Sequence, residues 1–153
     1  MRVDRVYADT SVFGGYFDEE FSDRTRPFFA RLLAGAVRLV VSELAVAELE
    51  RAPAHVRALL EELPPALVDR IPFNEEARGL ADLYLQEGVV RPKMKVDAQH
   101  IATATVHRVD VLVSWNFRDI VNLRKIHGIN AVNLRLGYPM LEIRTPAEVI
   151  RYD

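Results

Sequence analysis

The chain contains no cysteine, which removes disulfides, thiolate zinc sites and cysteine nucleophiles and agrees with a reducing compartment. Glycine and proline are sparse, at 7 and 8 in 153 residues, and half of the residues are apolar. Disorder and a collagen-like chain are thereby excluded. Neither sign of charge dominates, since 20 Lys and Arg face 22 Asp and Glu. No bulk positive field exists to recruit nucleic acid, so any such contact has to come from a local patch. No uncharged apolar run approaches the roughly 18 residues that a membrane span requires, and no apolar h-region succeeds Met1-Arg2-Val3-Asp4-Arg5-Val6. The expectation is a cytoplasmic chain with no membrane partner, folded as one domain over residues 1–153.

The apolar residues are distributed in alternating strand-like and helix-like runs. Val6-Tyr7-Ala8 is a buried strand that ends at Asp9, and Gly14-Gly15 makes the next segment a loop. Phe28, Phe29, Leu32 and Leu33 recur at helical spacing before Gly35, and the β-branched run 37–41 stops at Ser42, a favoured cap for a helix over 43–51. Further helices are expected over 55–63, from the Asn74 cap to Gly88, and over 96–107, with a short extended piece at 67–73. Residues 109–115 then give a strand, 118–127 a helix closed by Gly128, and 129–134 a strand. Thr145-Pro146-Ala147-Glu148 is a capping box that opens a terminal helix. Such alternation predicts an α/β fold with a central, mainly parallel sheet flanked by helices. Ligands in such folds bind beyond the carboxyl ends of the strands, where Asp9 and Asn116 stand.

Three acids fall on elements whose apolar faces share one core. Asp9 ends a strand, Glu48 comes four and three residues after Leu44 and Ala45 on one helix, and Asp97 precedes Ile101 and Ala104 by four and seven on another. Each has an ordinary alternative, as a loop cap, a solvated edge residue and an N-cap respectively. Together they make a cluster of like charges that is costly without a hard cation, for which Mg²⁺ or Mn²⁺ with oxygen ligands is the natural partner.

At these residues the sequence resembles the PIN-domain ribonucleases, in particular the VapC-like toxins of type II toxin-antitoxin pairs. Asp9-Thr10-Ser11 is similar to the first acidic motif of that family, Ser42 to Glu48 to the second, Asp97 with 100–104 to the third, and Ser114-Trp115-Asn116-Phe117-Arg118 to the fourth. The resemblance implies a PIN-like three-layer fold, Mg²⁺ or Mn²⁺ dependence, an RNA substrate cleaved by metal-dependent hydrolysis, a homodimer and a cognate antitoxin protein. It makes Asp9, Glu48 and Asp97 the metal ligands, adds Asn116 to the catalytic set, and places Thr10, Ser11 and Ser114 behind them. Many members carry Asp where this sequence has Asn116, and a neutral amide favours one metal over two. The competing reading is a catalytically weakened scaffold of the same fold that binds RNA or protein.

Other residues are weighed beside these. Arg91, Lys93 and Lys95 lead into Asp97 and, with Arg118, are the phosphate-contact residues of choice. Asp119 is read as an acid in the first turn of a helix beginning near Asn116, the alternative being that it compensates for the neutral Asn116, and His100 as a hydrogen-bonded structural residue, the alternative being a metal ligand or proton shuttle. Tyr16, Phe17 and Phe21 lie in an acidic, glycine-containing segment and mark either an interface or a flap folded under the first helix.

Overall fold

The computed structural model describes residues 2–150. Five strands, β1 (Asp4–Ala8), β2 (Val37–Ser42), β3 (Val68–Ile71), β4 (Val111–Val113) and β5 (Glu142–Arg144), form one sheet in the order β3-β2-β1-β4-β5. Every neighbouring pair is parallel, with Val6 opposite Leu39 on one side and Val111 on the other. Period-two alternation sends Tyr7, Val40 and Leu112 to one face, and Val6, Ala8, Leu39, Val41, Val111 and Val113 to the other. Both faces are buried at the middle of the sheet, which is why β4 and the carboxyl-terminal halves of β1 and β2 are mostly apolar.

Two helical layers cover the sheet. On the Tyr7 face lie α5 (Glu75–Gln86), α6 (Lys95–Val106) and α7 (Leu123–Arg135). The opposite face carries α1 (Thr10–Gly15), α2 (Ser22–Leu33), α3 (Glu43–Glu50), α4 (Ala54–Glu61) and the short α8 (Pro146–Val149). Ser42 caps α3, Asn74 caps α5, and the Thr145 capping box opens α8, as their side chains foretell. The chain builds outward from β1 through β2 to β3, then returns to place β4 on the other side of β1. The direction of winding thus reverses between β1 and β4, and the crevice at their carboxyl ends is where an α/β sheet binds ligands. No helix among the described residues is long and apolar enough to cross a membrane.

Several elements differ from the sequence reading. Residues 10–15 are helical rather than looped, because Gly15 is needed for close packing and not for a break: a Cβ there would lie 2.8 Å from the Trp115 indole. The expected helix end at Gly128 and the strand over 129–134 are both absent, for α7 runs through Gly128 to Arg135. Here too the glycine serves contact, since its Cβ would meet Val89 Cγ1 at 2.8 Å. Ile129 and Val132 are buried one turn apart while Leu134 is exposed, so apolar residues on two faces of a helix imitate a strand. The last strand is instead the three-residue β5. Residues 117–120 form turns, and the helix begins only after Asn122, whose side chain accepts the Lys125 N–H.

Candidate active site

Asp9 leaves β1 at the switch point and is 4% exposed. Although it holds the N-cap position of α1, its side chain makes no capping bond. Its Oδ1 accepts from the Ser11 hydroxyl at 2.5 Å and its Oδ2 from the Ser114 hydroxyl at 2.6 Å. Each hydroxyl is anchored in turn, Ser11 Oγ by the Trp115 N–H at 3.0 Å and Ser114 Oγ by the Asn116 N–H at 2.9 Å. The chain end after β4 is thereby tied to the chain end after β1. Both donors to Asp9 are neutral, so they orient the carboxylate without cancelling its charge. Burial raises its pKa, and the hydrogen bonds from the two serines oppose that rise.

Glu48 reaches the same place from α3. Its Oε1 accepts from the Thr10 hydroxyl at 2.7 Å and faces His100 Nε2 at 2.6 Å. Burial alone would raise the Glu48 carboxyl; His100, Thr10 and Arg51 outweigh it and hold the group below the ordinary range. Asp97 stands in the first turn of α6, where Met94 and not Asp97 is the N-cap residue. Its Oδ2 accepts from Asn116 Nδ2 at 3.2 Å. Burial comes first among the effects that push its pKa up to about 6, followed by the negative charge of Asp9, with Asp119 and Glu48 adding to it. Asp9, Glu48 and Asp97 therefore lie within electrostatic reach of one another, brought together from three separate elements.

The donor set suits a hard divalent cation. It consists of carboxylate and hydroxyl oxygens, and two of its three acids are raised, by burial first and by neighbouring negative charge after it, a state that a bound cation would relieve. Among the described residues no three Asp, Glu or His side chains close on one point at ligand distance.

Asn116 is committed at both ends, donating to Asp97 and accepting the Asp119 N–H at 3.0 Å. It orders its neighbours. Asp119 is not the solvated acid of a helix start: it is 4% exposed and makes a two-point ion pair with Arg91, at 2.9 and 3.0 Å. Arg91 is for the same reason not the free phosphate contact expected of it, since its Nε and Nη2 are engaged. The physical reason is plain, as these partners are 28 residues apart and no local pattern links them. Lys93, Lys95 and Arg118 are exposed, and none is in an ion pair shown among the described residues.

Sequence reasoning misses one member of the site. Tyr7 reads only as strand core, yet its hydroxyl lies 2.6 Å from His100 Nδ1 and 2.7 Å from Ser42 Oγ. A lone polar atom at the tip of a core tyrosine leaves no signal in apolar patterning. Of the aromatic segment, Tyr16 packs edge-on against Phe29, and Phe17 against His55. Phe21 stacks on Trp115 at 4.7 Å, while Phe117 beside them is half exposed.

Residues 6–122 match the model of the PIN domain family. No curated protein sequence is a significant match. Among solved structures the chain is similar to FitAcB from Neisseria gonorrhoeae, at 16% identity and a TM-score of 0.60 over 92% of this chain and 97% of that one. It is also similar to VapBC2 from Rickettsia felis bound to a promoter DNA fragment, at 16% identity and a TM-score of 0.58 over 92% and 98%. A third is Mycobacterium tuberculosis VapC20, a sarcin-ricin loop cleaving toxin, at 15% identity and a TM-score of 0.55 over 74% and 91%. At such identities the likeness is one of fold.

Proposed function

Because this chain belongs to the PIN domain family, we propose that it is a metal-dependent endoribonuclease that hydrolyses RNA phosphodiester bonds and acts as the toxin of a toxin-antitoxin pair. The observation that carries the reading is that Asp9, Glu48 and Asp97, from three separate elements, come within electrostatic reach of one another beside the β1/β4 switch point, with the carboxyls of Asp9 and Asp97 raised by burial and by their acidic neighbours. Asp9, Glu48 and Asp97 would hold Mg²⁺ or Mn²⁺, which when bound supplies the missing positive charge, polarises the phosphodiester and lowers the pKa of water. Ser11 and Ser114 keep both Asp9 oxygens in place, and Thr10 does the same for Glu48 Oε1. Asn116 orients Asp97 through its amide. Lys93, Lys95 and Arg118 are the exposed cations available to the RNA backbone.

The fold neighbours support the partners of this reading. One is a toxin that cleaves the sarcin-ricin loop, and VapBC2 is seen on promoter DNA. A cognate antitoxin and a second copy of the chain would also cover Leu123, Leu134 and Met140, which are exposed on α7 and just beyond it.

One observation favours a second reading, a catalytically weakened scaffold that binds RNA or protein. Asn116 is neutral and Asp119 is engaged by Arg91, so neither adds a free carboxylate to the other three. Incubating the purified protein with RNA and Mn²⁺, beside Asp9→Asn, separates the two. Metal-dependent cleavage that Asp9→Asn abolishes supports the nuclease; RNA binding with no cleavage by either protein supports the scaffold.

A further inference from the structure

Glu48 is joined to the cap of its own helix by a closed circuit of side chains. Ser42 Oγ accepts the Ala45 N–H at 3.2 Å and so caps α3, the helix that carries Glu48. The same oxygen lies 2.7 Å from the Tyr7 hydroxyl, which lies 2.6 Å from His100 Nδ1. His100 Nε2 completes the circuit at Glu48 Oε1, 2.6 Å away. Tyr7 and Ser42 are wholly inaccessible and His100 is 2% exposed, so no solvent closes any gap in this chain. The Tyr7 and His100 rings also meet edge to face, with centroids 5.8 Å apart, which fixes the imidazole plane.

The direction of these bonds is set by the number of hydrogens. Among the described residues the Ser42 hydroxyl hydrogen has one acceptor, the Tyr7 oxygen, because the other contact of Ser42 Oγ is an N–H that it accepts. Were Tyr7 to donate to Ser42 instead, the serine hydrogen would be left unpaired inside the protein, which is costly. Ser42 therefore donates to Tyr7, and Tyr7 donates to His100. Nδ1 is then an acceptor, and the ring hydrogen sits on Nε2, where it donates to Glu48. Each hydrogen in the series has its acceptor only in this order.

We infer that Tyr7 and His100 are positioning residues for Glu48. With the Thr10 hydroxyl they occupy Oε1 and leave Oε2, which has no hydrogen-bond partner among the described residues, as the one oxygen presented to a cation. The relay fixes both the identity of the coordinating atom and the tautomer of the histidine behind it. It rests on the reading of Glu48 as a ligand, and it adds to that reading two residues outside the acidic set.

The test compares two tyrosines. Tyr7→Phe removes the central hydroxyl of the relay, whereas Tyr84→Phe removes a buried hydroxyl that bonds Asn133 Oδ1 at 2.5 Å in a separate cluster. Both variants should lower the melting temperature. In calorimetric titration with Mn²⁺ alone, Tyr7→Phe should bind about tenfold more weakly, the scale of loss for groups that support a ligand. Tyr84→Phe should bind as the parent does. His100→Gln, which keeps a donor toward Glu48, should retain more affinity than His100→Ala. Nitrogen NMR of the parent imidazole should report the Nε2–H form. If the parent binds Mn²⁺ and Tyr7→Phe binds it equally well, the positioning role falls while the ligand assignment stands. If the parent binds no Mn²⁺, the ligand assignment falls and takes the positioning role with it. An Nδ1–H imidazole overturns the relay whatever the metal does.

Discussion

Asp9 and Asp119 are equally buried, each 4% exposed, yet they are held in opposite ways. Asp9 is gripped by two neutral hydroxyls, and Asp119 by the fork of a guanidinium. Hydroxyl donors fix direction and leave a net negative charge, whereas Arg91 fixes direction and cancels the charge. The same residue type is thus a site acid at one place and a strut at the other. Desolvation cost explains why both arrangements persist. A buried carboxylate without a cation is unfavourable, and under the proposed function it is kept because a cation would bind there. A buried carboxylate with an arginine is already complete and ties the loop before α6 to the turns after β4.

Removing one charge from each region should separate them most sharply. Asp97→Asn should lower cleavage by more than about a hundredfold, beyond the usual range for supporting residues, and should raise the melting temperature of the metal-free protein by relieving repulsion from Asp9. Arg91→Ala should do the reverse to stability, leaving Asp119 buried and unpaired, with a melting temperature several degrees lower. The double variant Arg91→Ala, Asp119→Asn should recover much of that loss. Thermal melts without metal decide it, and equal signs for Asp97→Asn and Arg91→Ala would mean that the two regions do not differ in charge balance.

Next in size is Gly15→Ala. The new methyl would stand 2.8 Å from the Trp115 ring, whose indole N–H donates to Thr25 Oγ1 at 2.9 Å. Overpacking of this kind costs about 1–3 kcal/mol. Denaturant titration should show that loss, and the Trp115 near-ultraviolet signal should change with it. An unaltered signal would mean that α1 and Trp115 adjust independently of the Ser11 contact to the Trp115 N–H.

The stability gained by Asp97→Asn should itself depend on pH. Asp97 has a folded pKa of about 6 against an ordinary 3.8, so the folded state holds its proton more tightly than the unfolded chain does. Its contribution is therefore favourable in acid and is lost as the pH rises from about 4 through about 6. The gain from the substitution should accordingly be largest above pH 7 and shrink toward pH 4. A gain independent of pH would assign the effect to packing.

The centre of the sheet and most helices are legible in the sequence because burial on both faces forces apolar runs in β1, β2 and β4, and capping side chains such as Ser42, Asn74 and Thr145 mark helix starts. The helix over residues 10–15 and the continuous α7 escape the sequence for one shared reason. Gly15 and Gly128 look like breaks, but both exist to admit a neighbouring side chain, which only the tertiary structure reveals. At the site, Asp9, Glu48 and Asp97 are visible as acids on inward faces. The Arg91–Asp119 pair and the hydroxyl of Tyr7 are not, because pairing across 28 residues and a single polar atom on a core ring have no periodicity.

The smallest change is predicted on the exposed rim. Lys93 and Lys95 flank the start of α6 four and two residues before Asp97 and, unlike Arg91, have no carboxylate partner among the described residues. A free ammonium gains most from a phosphate, because nothing has to be released before it binds. Under the nuclease reading, Lys95→Ala should weaken binding of a single-stranded oligonucleotide uniformly across sequences, and the log-log salt slope should fall by about 0.7 for one lost contact. Arg91→Ala, measured under conditions where it remains folded, should leave that slope nearly unchanged, since its guanidinium already serves Asp119. Fluorescence titrations at several salt concentrations provide the test. A slope that falls for Arg91→Ala and not for Lys95→Ala would mean that RNA draws the arginine away from Asp119, and would erase the distinction between a site that awaits a cation and a strut that already has one.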